Sequence, residues 1–219
     1  MSLRSVVVLE PRKSPVQARS AASVDAILEA TIQVLLSVGK ERLTTTRVAL
    51  RAGVSVGTLY QYFPNKSALL QAVLKRHLEQ VAEAVERVCR EQKGSTLQQM
   101  APALVNAFLE AKMRDPKTSA AFYSVSADVD GAKIAQRIRI RTSKAIVALL
   151  ASARYPLKKE PEIVASMVQS AMTGMSQRIL TSSAPEKEFG ILREELIFLV
   201  SAYLEACSAP ANIPQRFVR

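Results

Sequence analysis

The sequence predicts an all-α protein of about nine helices, arranged as a small N-terminal head and a larger C-terminal body. Its 219 residues are enough for one or two domains with a substantial core. Glycine occurs 7 times and aromatic residues make up 5%, while Ala, Leu, Val and Ile recur at helical intervals; this favours packed helices over a sandwich or a barrel. We expect an arm over residues 1–19, a head over 20–65, a body over 66–208 and a tail over 209–219.

Two short helices are predicted within residues 43–66. Three threonines precede an apolar pair, and a hydroxyl in that position accepts from the free N–H groups of a first helical turn. Gly53 can end this helix in the left-handed conformation, and Ser55 can cap a second helix that runs to about Tyr62. Two helices of about two turns, joined by a short turn that contains a glycine, indicate a helix-turn-helix.

The second short helix is predicted to turn its polar groups outward. Val54, Leu59 and Phe63 can point inward, which leaves hydroxyls, phenols and an amide outside. Such groups suit phosphate oxygens and base edges in a DNA major groove. The predicted DNA contacts are Thr44, Thr45, Thr46, Arg47, Ser55, Val56, Gly57, Thr58, Tyr60, Gln61, Tyr62, Lys66 and Arg19. The alternative is that the aromatic residues fill only a small core.

A longer pattern runs through the same stretch. Its members are Thr44-Thr45-Thr46, Val48-Ala49, Ala52-Gly53-Val54-Ser55, Gly57-Thr58-Leu59-Tyr60, Tyr62-Phe63 and Lys66. This run resembles the DNA-binding domain of TetR-family transcriptional regulators, and the resemblance covers about residues 20–75. It implies a bacterial, cytoplasmic regulator that forms a homodimer through two helices per subunit.

The charge distribution is typical of a protein with a polyanionic partner. The net charge is +11 and the isoelectric point is near 10.0. Residues 1–70 carry 9 basic and 4 acidic residues, against 21 and 15 in the remainder, so the excess is denser in the head. Charge alone does not establish a nucleic-acid partner.

The segments beside the motif are expected to support it. The arm contains two prolines, and Arg19 either approaches the phosphates or the minor groove or belongs to a solvated tail. The first helix is predicted from about residue 20 to 38, where Gly39 stops it. A fourth helix is predicted over 66–92, and Lys66 at its start is well placed to bind a phosphate.

The body is predicted to contain five further helices, separated at residues 93–95, 115–116, 128–131, 155–161 and 182–185. Pro102 either kinks its helix or follows a turn, and either defect could open a cavity. The candidate effector pocket is lined by Met100, Leu104, Phe108, Phe122 and Tyr123, which are otherwise ordinary core residues. The helix over 132–153 carries Arg137, Arg139, Arg141 and Lys144, either as a solvated basic face or as an anion site for an acidic effector.

The last two helices, over about 162–182 and 186–207, have apolar residues on more than one face. A helix of this kind buries one face against its own body and another against a partner. The predicted interface between two copies comprises Met167, Ser170, Gly174, Leu196, Leu199 and Tyr203.

Other functional classes find little support in the sequence. It shows no arrangement typical of a catalytic triad, a metal site or a Gly-rich phosphate loop, so we expect no catalytic residues, no metal and no cofactor. Cys89 and Cys207 fit a reduced cytosolic protein, and no segment approaches the ~18 apolar residues of a membrane span. The sequence therefore predicts a homodimeric repressor that a small-molecule effector releases from its operator. The alternative is a DNA-organising or protein-binding member of the same fold.

Overall fold

The computed structural model describes residues 18–126 and 131–208, and these residues form nine α-helices. The helices are α1 (Ala18–Arg42), α2 (Thr45–Ala52), α3 (Val56–Tyr62), α4 (Lys66–Glu91), α5 (Leu97–Met113), α6 (Pro116–Ser126), α7 (Gly131–Ala151), α8 (Pro161–Thr181) and α9 (Pro185–Cys207). The all-α prediction is confirmed. The predicted arm up to residue 17, the side chain of Arg19, most of the break at 128–131 and the tail lie outside the described residues.

The regular helical geometry of α1 ends at Gly39, as predicted. Gly39 has a φ of 76° and a ψ of 166°, so the last residues up to Arg42 follow a break in the helix. Over Ser20–Arg42, α1 is long and apolar enough to cross a membrane by length and composition alone, which corrects the expectation that no segment approaches a span. The helix nevertheless buries Ile27 and Leu35 in a protein core, and such core helices commonly pass this test.

The described residues fall into two compact units. The first contains residues 18–79, 117–126 and 131–137. Its core is built where α1 packs on α2 and α2 on α3, and Leu59 and Phe63 are almost completely buried in it. Phe122 of α6 belongs to the same core.

The second unit contains residues 80–116 and 138–208. Helix α5 packs against α9 and α8, and α8 packs against α9. Thr96 caps α5 in a capping box with Gln99, and the helix continues from Leu97 through Pro102 to Met113. The proline therefore lies inside the helix, and no turn precedes it.

The division between the units does not follow the predicted boundary at residues 65 and 66. That boundary does mark the start of α4 at Lys66, but α4 continues through both units, which divide after Glu79. Helix α6 was predicted as part of the body, whereas it packs with the N-terminal unit. The reason is that Phe122 and Val125 find their apolar neighbours there.

Candidate nucleic-acid interface

Local capping interactions define both short helices of the motif. The Thr44 hydroxyl accepts from the Arg47 amide at 3.2 Å, and the Ser55 hydroxyl accepts from the Thr58 amide at 2.9 Å. Between them Gly53 adopts a φ of 67°, and its amide donates to the carbonyls of α2. These interactions end α2 and begin α3 as the sequence predicts, because both depend on neighbouring residues only.

The outer face of α3 is exposed and carries mixed chemistry. Ser55, Val56, Gly57, Tyr60 and Gln61 are all exposed. They supply a hydroxyl, a small apolar group, a stretch of backbone that no side chain covers at Gly57, a phenol and an amide. An amide and a phenol on one helix face are suited to reading base edges, while hydroxyls suit phosphates.

Two of the predicted contacts are less available than the sequence indicated. Tyr62 is half-buried and packs against the core of its unit, and Thr58 is half-buried with its hydroxyl 2.8 Å from that of Ser55. Both side chains lie at the margin of the exposed face, because α3 has only two turns and must bury Leu59 and support Phe63. We therefore centre the interface on the exposed residues of α3.

A hydrogen bond that the sequence analysis missed joins the two helices. The Tyr60 hydroxyl lies 3.0 Å from Thr45 Oγ1, fifteen residues away in sequence. The phenol is 40% exposed, so part of it can still be contacted while its hydroxyl lies within hydrogen-bond distance of Thr45. A phenol and a hydroxyl on adjacent helices could have suggested this contact, but only the helix packing establishes it.

The remaining predicted contacts flank α3. Thr46 and Arg47 are exposed on α2, and a guanidinium nitrogen of Arg47 donates to the Arg42 carbonyl at 3.1 Å. Lys66 Nζ donates to the Glu41 carbonyl at 3.4 Å, so the lysine is held beside the end of α1. The helices that precede and follow α3 in the sequence thus each supply a cation to the N-terminal unit, Arg47 on α2 and Lys66 on α4.

Five large apolar side chains on α8 and α9 are also exposed. Ile163 and Met167 on α8 are 57% and 55% exposed, and Ile191, Phe198 and Leu199 on α9 are 67%, 71% and 52% exposed. We call these five residues the α8–α9 stripe. Exposed apolar clusters of this kind on packed helices typically mark protein–protein contacts.

The predicted interface residues divide around this stripe. Met167 and Leu199 belong to it, Ser170 and Gly174 are exposed further along α8, and Tyr203 is half-buried. The prediction that Leu196 lies in the interface is wrong, since Leu196 is 1% exposed and packs in the core of its own unit. Its spacing explains this, because Leu196, Val200 and Leu204 follow the inward face of α9 at intervals of four residues.

The predicted effector pocket is not assembled as a single site within one unit. Met100, Leu104 and Phe108 are buried in the core of the second unit, whereas Phe122 belongs to the first unit and Tyr123 lies on the same helix. A different cleft of about 390 Å³ lies between α7 and α8 in the second unit. It is lined by Arg139, Ile140, Ser143, Lys144, Val147, Ala148, Glu162, Ser166 and Gln169.

The basic residues of α7 have separate environments. Arg139 and Lys144 line this cleft. Arg141 instead forms a bidentate ion pair with Glu86, in which Nε donates to Oε1 at 2.5 Å and Nη2 donates to Oε2 at 2.6 Å. The hydrogen bonds from Arg141 lower the pKa of the Glu86 carboxyl below its usual value. Arg137 is exposed and does not line the cleft.

Two buried ionisable groups of the second unit have shifted pKa values. Burial lowers the pKa of Lys112 to about 8 and raises the pKa of the Cys89 thiol to about 12. Cys89 and Cys207 are both buried free thiols. Within residues 18–126 and 131–208, no group of three His, Cys, Asp or Glu side chains could hold a metal ion.

The fold and this exposed helix-turn-helix define a DNA-binding protein of the bacterial regulatory class. The family model "Bacterial regulatory proteins, tetR family" matches residues 27–73, and "Tetracyclin repressor-like, C-terminal domain" matches residues 96–204. The chain belongs to the TetR family, as its motif indicated.

Individual relatives agree with this assignment. The HTH-type transcriptional repressor KstR of Mycolicibacterium smegmatis is 37% identical over 90 residues, which are 41% of this chain and 43% of KstR. The nucleoid occlusion factor SlmA of Haemophilus ducreyi is 39% identical over 71 residues, 32% of this chain and 35% of SlmA. The matched segments thus span less than half the length of these relatives.

Solved structures support the fold over most of the chain. SmeT, the repressor of the Stenotrophomonas maltophilia multidrug efflux pump SmeDEF, superimposes with a TM-score of 0.64 at 20% identity. The match covers 88% of this chain and 93% of SmeT, and a SmeT–triclosan complex matches similarly, with a TM-score of 0.62.

Proposed function

We propose that this protein is a homodimeric transcriptional repressor that binds a near-palindromic DNA operator through α3 and is released from it by a small-molecule effector. The observation that carries the proposal is the exposed face of α3, where Tyr60 and Gln61 lie between capped, rigid helix ends. A helix held in this way can enter a major groove with Tyr60 already positioned and Gln61 free to pair with a base edge.

Dimerisation is supported by the α8–α9 stripe. Five large apolar side chains, each more than half exposed, lie on two helices that pack against each other. A second copy of the same surface would cover them, and an interface of this self-complementary type gives a twofold axis. Two recognition helices related by such an axis read two half-sites about 34–36 Å apart, or a multiple of that distance.

Release by an effector requires that the ligand bind one conformation of the dimer better than another. A coupling of about 1–3 kcal/mol is typical and corresponds to about a 5- to 150-fold change in operator affinity. Helix α4 is suited to transmit such a change, because it begins beside the DNA-binding face at Lys66 and ends in the second unit at Glu91. The similarity to SmeT, which is known in complex with triclosan, supports a ligand-responsive role.

The same proposal places the protein in the cytoplasm and assigns it no enzymatic reaction. DNA binding requires access to the chromosome, and both buried thiols are compatible with a reducing compartment. An enzyme would turn over a substrate in the absence of any operator, which gives a direct way to tell the two classes apart.

The test is selection of genomic fragments by the purified full-length protein, with and without a cell metabolite extract. We expect a small set of near-palindromic fragments that the extract releases. A reporter fused to a selected promoter should be repressed when the protein is present. Uniform recovery of all fragments, or a reporter that ignores the protein, would contradict repression.

A DNA-organising role is the second candidate, favoured by the similarity of 71 residues of the chain to SlmA. A protein of that kind would also select specific fragments, but transcription from them would not change. The reporter assay therefore separates the two functions, because only a repressor lowers expression from the bound promoter.

A further inference from the structure

We propose that the cleft between α7 and α8 binds a monoanionic amphiphile, namely a monocarboxylate with an apolar chain. The cleft measures about 390 Å³, within the range of about 300–1,000 Å³ that small-molecule sites typically occupy. Its role as an effector site rests on the proposed function and deepens it by naming a ligand class.

The carboxylate would bind beside Arg139, at the end of the cleft next to Gln169, and Lys144, about 7.5 Å further along α7, adds a second positive charge to the lining. Within the described part of the chain, neither side chain forms an ion pair or a hydrogen bond, so both cations are available to a ligand. Gln169 fixes this end of the cleft, since its amide nitrogen donates to the Arg139 carbonyl at 3.2 Å and to the Thr142 hydroxyl at 2.6 Å. An arginine and a lysine together are suited to a carboxylate.

The apolar chain would lie along α7. Ile140, Val147 and Ala148 line the cleft, and Ile140 is 49% exposed although it is a large apolar side chain. Two turns of α7 separate Ile140 from Val147, a rise of about 10 Å. An alkyl chain of about eight carbons has this length and would cover the exposed apolar surface.

Glu162 limits the charge of the ligand. It lines the cleft seven residues before Gln169 on α8, which places it about 10 Å from the cationic end along the helix. Two cations and one carboxylate give the lining a net charge of +1, which matches a monoanion. A second negative charge at the far end of the ligand would meet Glu162 and be repelled.

The cleft is separate from the proposed dimer contact. At about 100° per residue, Glu162, Ser166 and Gln169 occupy one side of α8, while Ile163 and Met167 point about a quarter turn away. The cleft thus borders the α8–α9 stripe without sharing its side chains, and a ligand there would contact the helix that forms the dimer surface.

Isothermal titration of the full-length protein with octanoate, 1-octanol and suberate tests the assignment. We expect octanoate to bind once per chain, and octanol and the dianion suberate to bind at least about threefold more weakly. Arg139→Gln and Lys144→Gln should each weaken octanoate about threefold, and Ala148→Trp should abolish binding by filling the cleft. Arg137→Gln, the matched charge control outside the cleft, should bind octanoate normally.

Glu162→Gln provides the most selective variant. It should strengthen suberate binding about threefold and change octanoate binding less than that, because only the dianion places a negative charge beside the carboxylate. Absence of octanoate binding, equal affinity for octanol, or equal losses in Arg137→Gln and Arg139→Gln would overturn the assignment. Operator binding is measured on the same samples without ligand. If octanoate fails to bind while operator binding is intact, the ligand assignment is wrong and the proposed DNA-binding function stands.

Discussion

At the scale of single residues, the candidate interface combines groups fixed by local bonds with groups left open. Ser55 caps α3, and Thr45 holds the Tyr60 hydroxyl at 3.0 Å. Gln61, in contrast, is exposed, and no hydrogen bond to its side chain is found among the described residues. The fixed residues set the position of the helix, and Gln61 is free to pair with a base edge.

Gln61→Ala should alter sequence preference more than general DNA affinity. A lost bidentate amide contact costs about 1–3 kcal/mol of discrimination at one base pair, whereas phosphate contacts are unaffected. Competition binding with operator variants and with bulk DNA measures both quantities. A uniform loss on every sequence would show that Gln61 contacts only the backbone.

Lys66→Ala should weaken binding to all sequences alike. One phosphate contact contributes about 0.9 to the slope of log affinity against log salt concentration, so the slope should become shallower by about that amount. Lys93→Ala, which removes an exposed cation from a turn in the other unit, is the matched control and should leave the slope unchanged. An identical slope for both variants would remove Lys66 from the contacts.

Gly53→Ala should destabilise the protein by about 1 kcal/mol. Gly53 has a φ of 67°, a conformation that an alanine adopts at a cost of about 1–2 kcal/mol. Gly190→Ala is the control, since Gly190 lies inside α9 and an added Cβ meets open space, so stability should be equal or higher. Urea unfolding of both variants measures the difference, and equal stabilities would contradict the strained turn.

At the scale of elements, one ion pair holds two helices of the second unit together. Arg141 on α7 pairs with Glu86 on α4 through two hydrogen bonds, and the Glu86 side chain is only 18% exposed. The pair joins residues fifty-five positions apart, so no periodicity of either helix could have revealed it.

Arg141→Gln should lower stability at neutral pH by about 1 kcal/mol. The pKa of Glu86 is depressed in the folded state, so the stabilisation is present above the usual carboxyl pKa of 4.5 and is lost as the pH falls through the lower, folded-state value. The difference from wild type should therefore shrink in acid. Arg87→Gln, which breaks an exposed pair with Glu91 at 3.9 Å, should change stability little at either pH. A loss for Arg141→Gln that persists unchanged in acid would contradict the pair.

Local elements were predictable because their determinants are adjacent in sequence. The caps at Thr44 and Ser55, the turn at Gly53 and the start of α4 each depend on residues within one turn of helix. Placement of Phe122 was not predictable, because the choice between two cores depends on which helices meet. The distinction between buried Leu196 and exposed Leu199 failed for the same reason, since α9 is apolar around most of its circumference.

At the scale of the whole molecule, the proposed function requires two copies to act together on one operator. A single α3 helix of seven residues reads few base pairs, and the α8–α9 stripe provides a surface by which two such helices could be related. The sequence predicted this surface in outline, although Phe198 and Ile191, its most exposed members, were not among the predicted interface residues.

A double variant, Phe198→Glu with Leu199→Glu, should yield monomers. Charges placed on the exposed stripe would be desolvated in the dimer and would repel their symmetry mates. Light scattering should give the 23.9 kDa mass of one chain instead of twice that value. Leu50→Glu, at an 82% exposed position on α2, should remain dimeric, and a dimeric double variant would move the interface elsewhere.

The most direct test is a hydroxyl-radical footprint of the wild-type protein on a selected genomic fragment. We predict two protected half-sites on one face of the duplex, with centres separated by about 34–36 Å or a multiple of it. A single unpaired patch of protection, or protection spread evenly along the fragment, would contradict a dimer that reads DNA with two α3 helices.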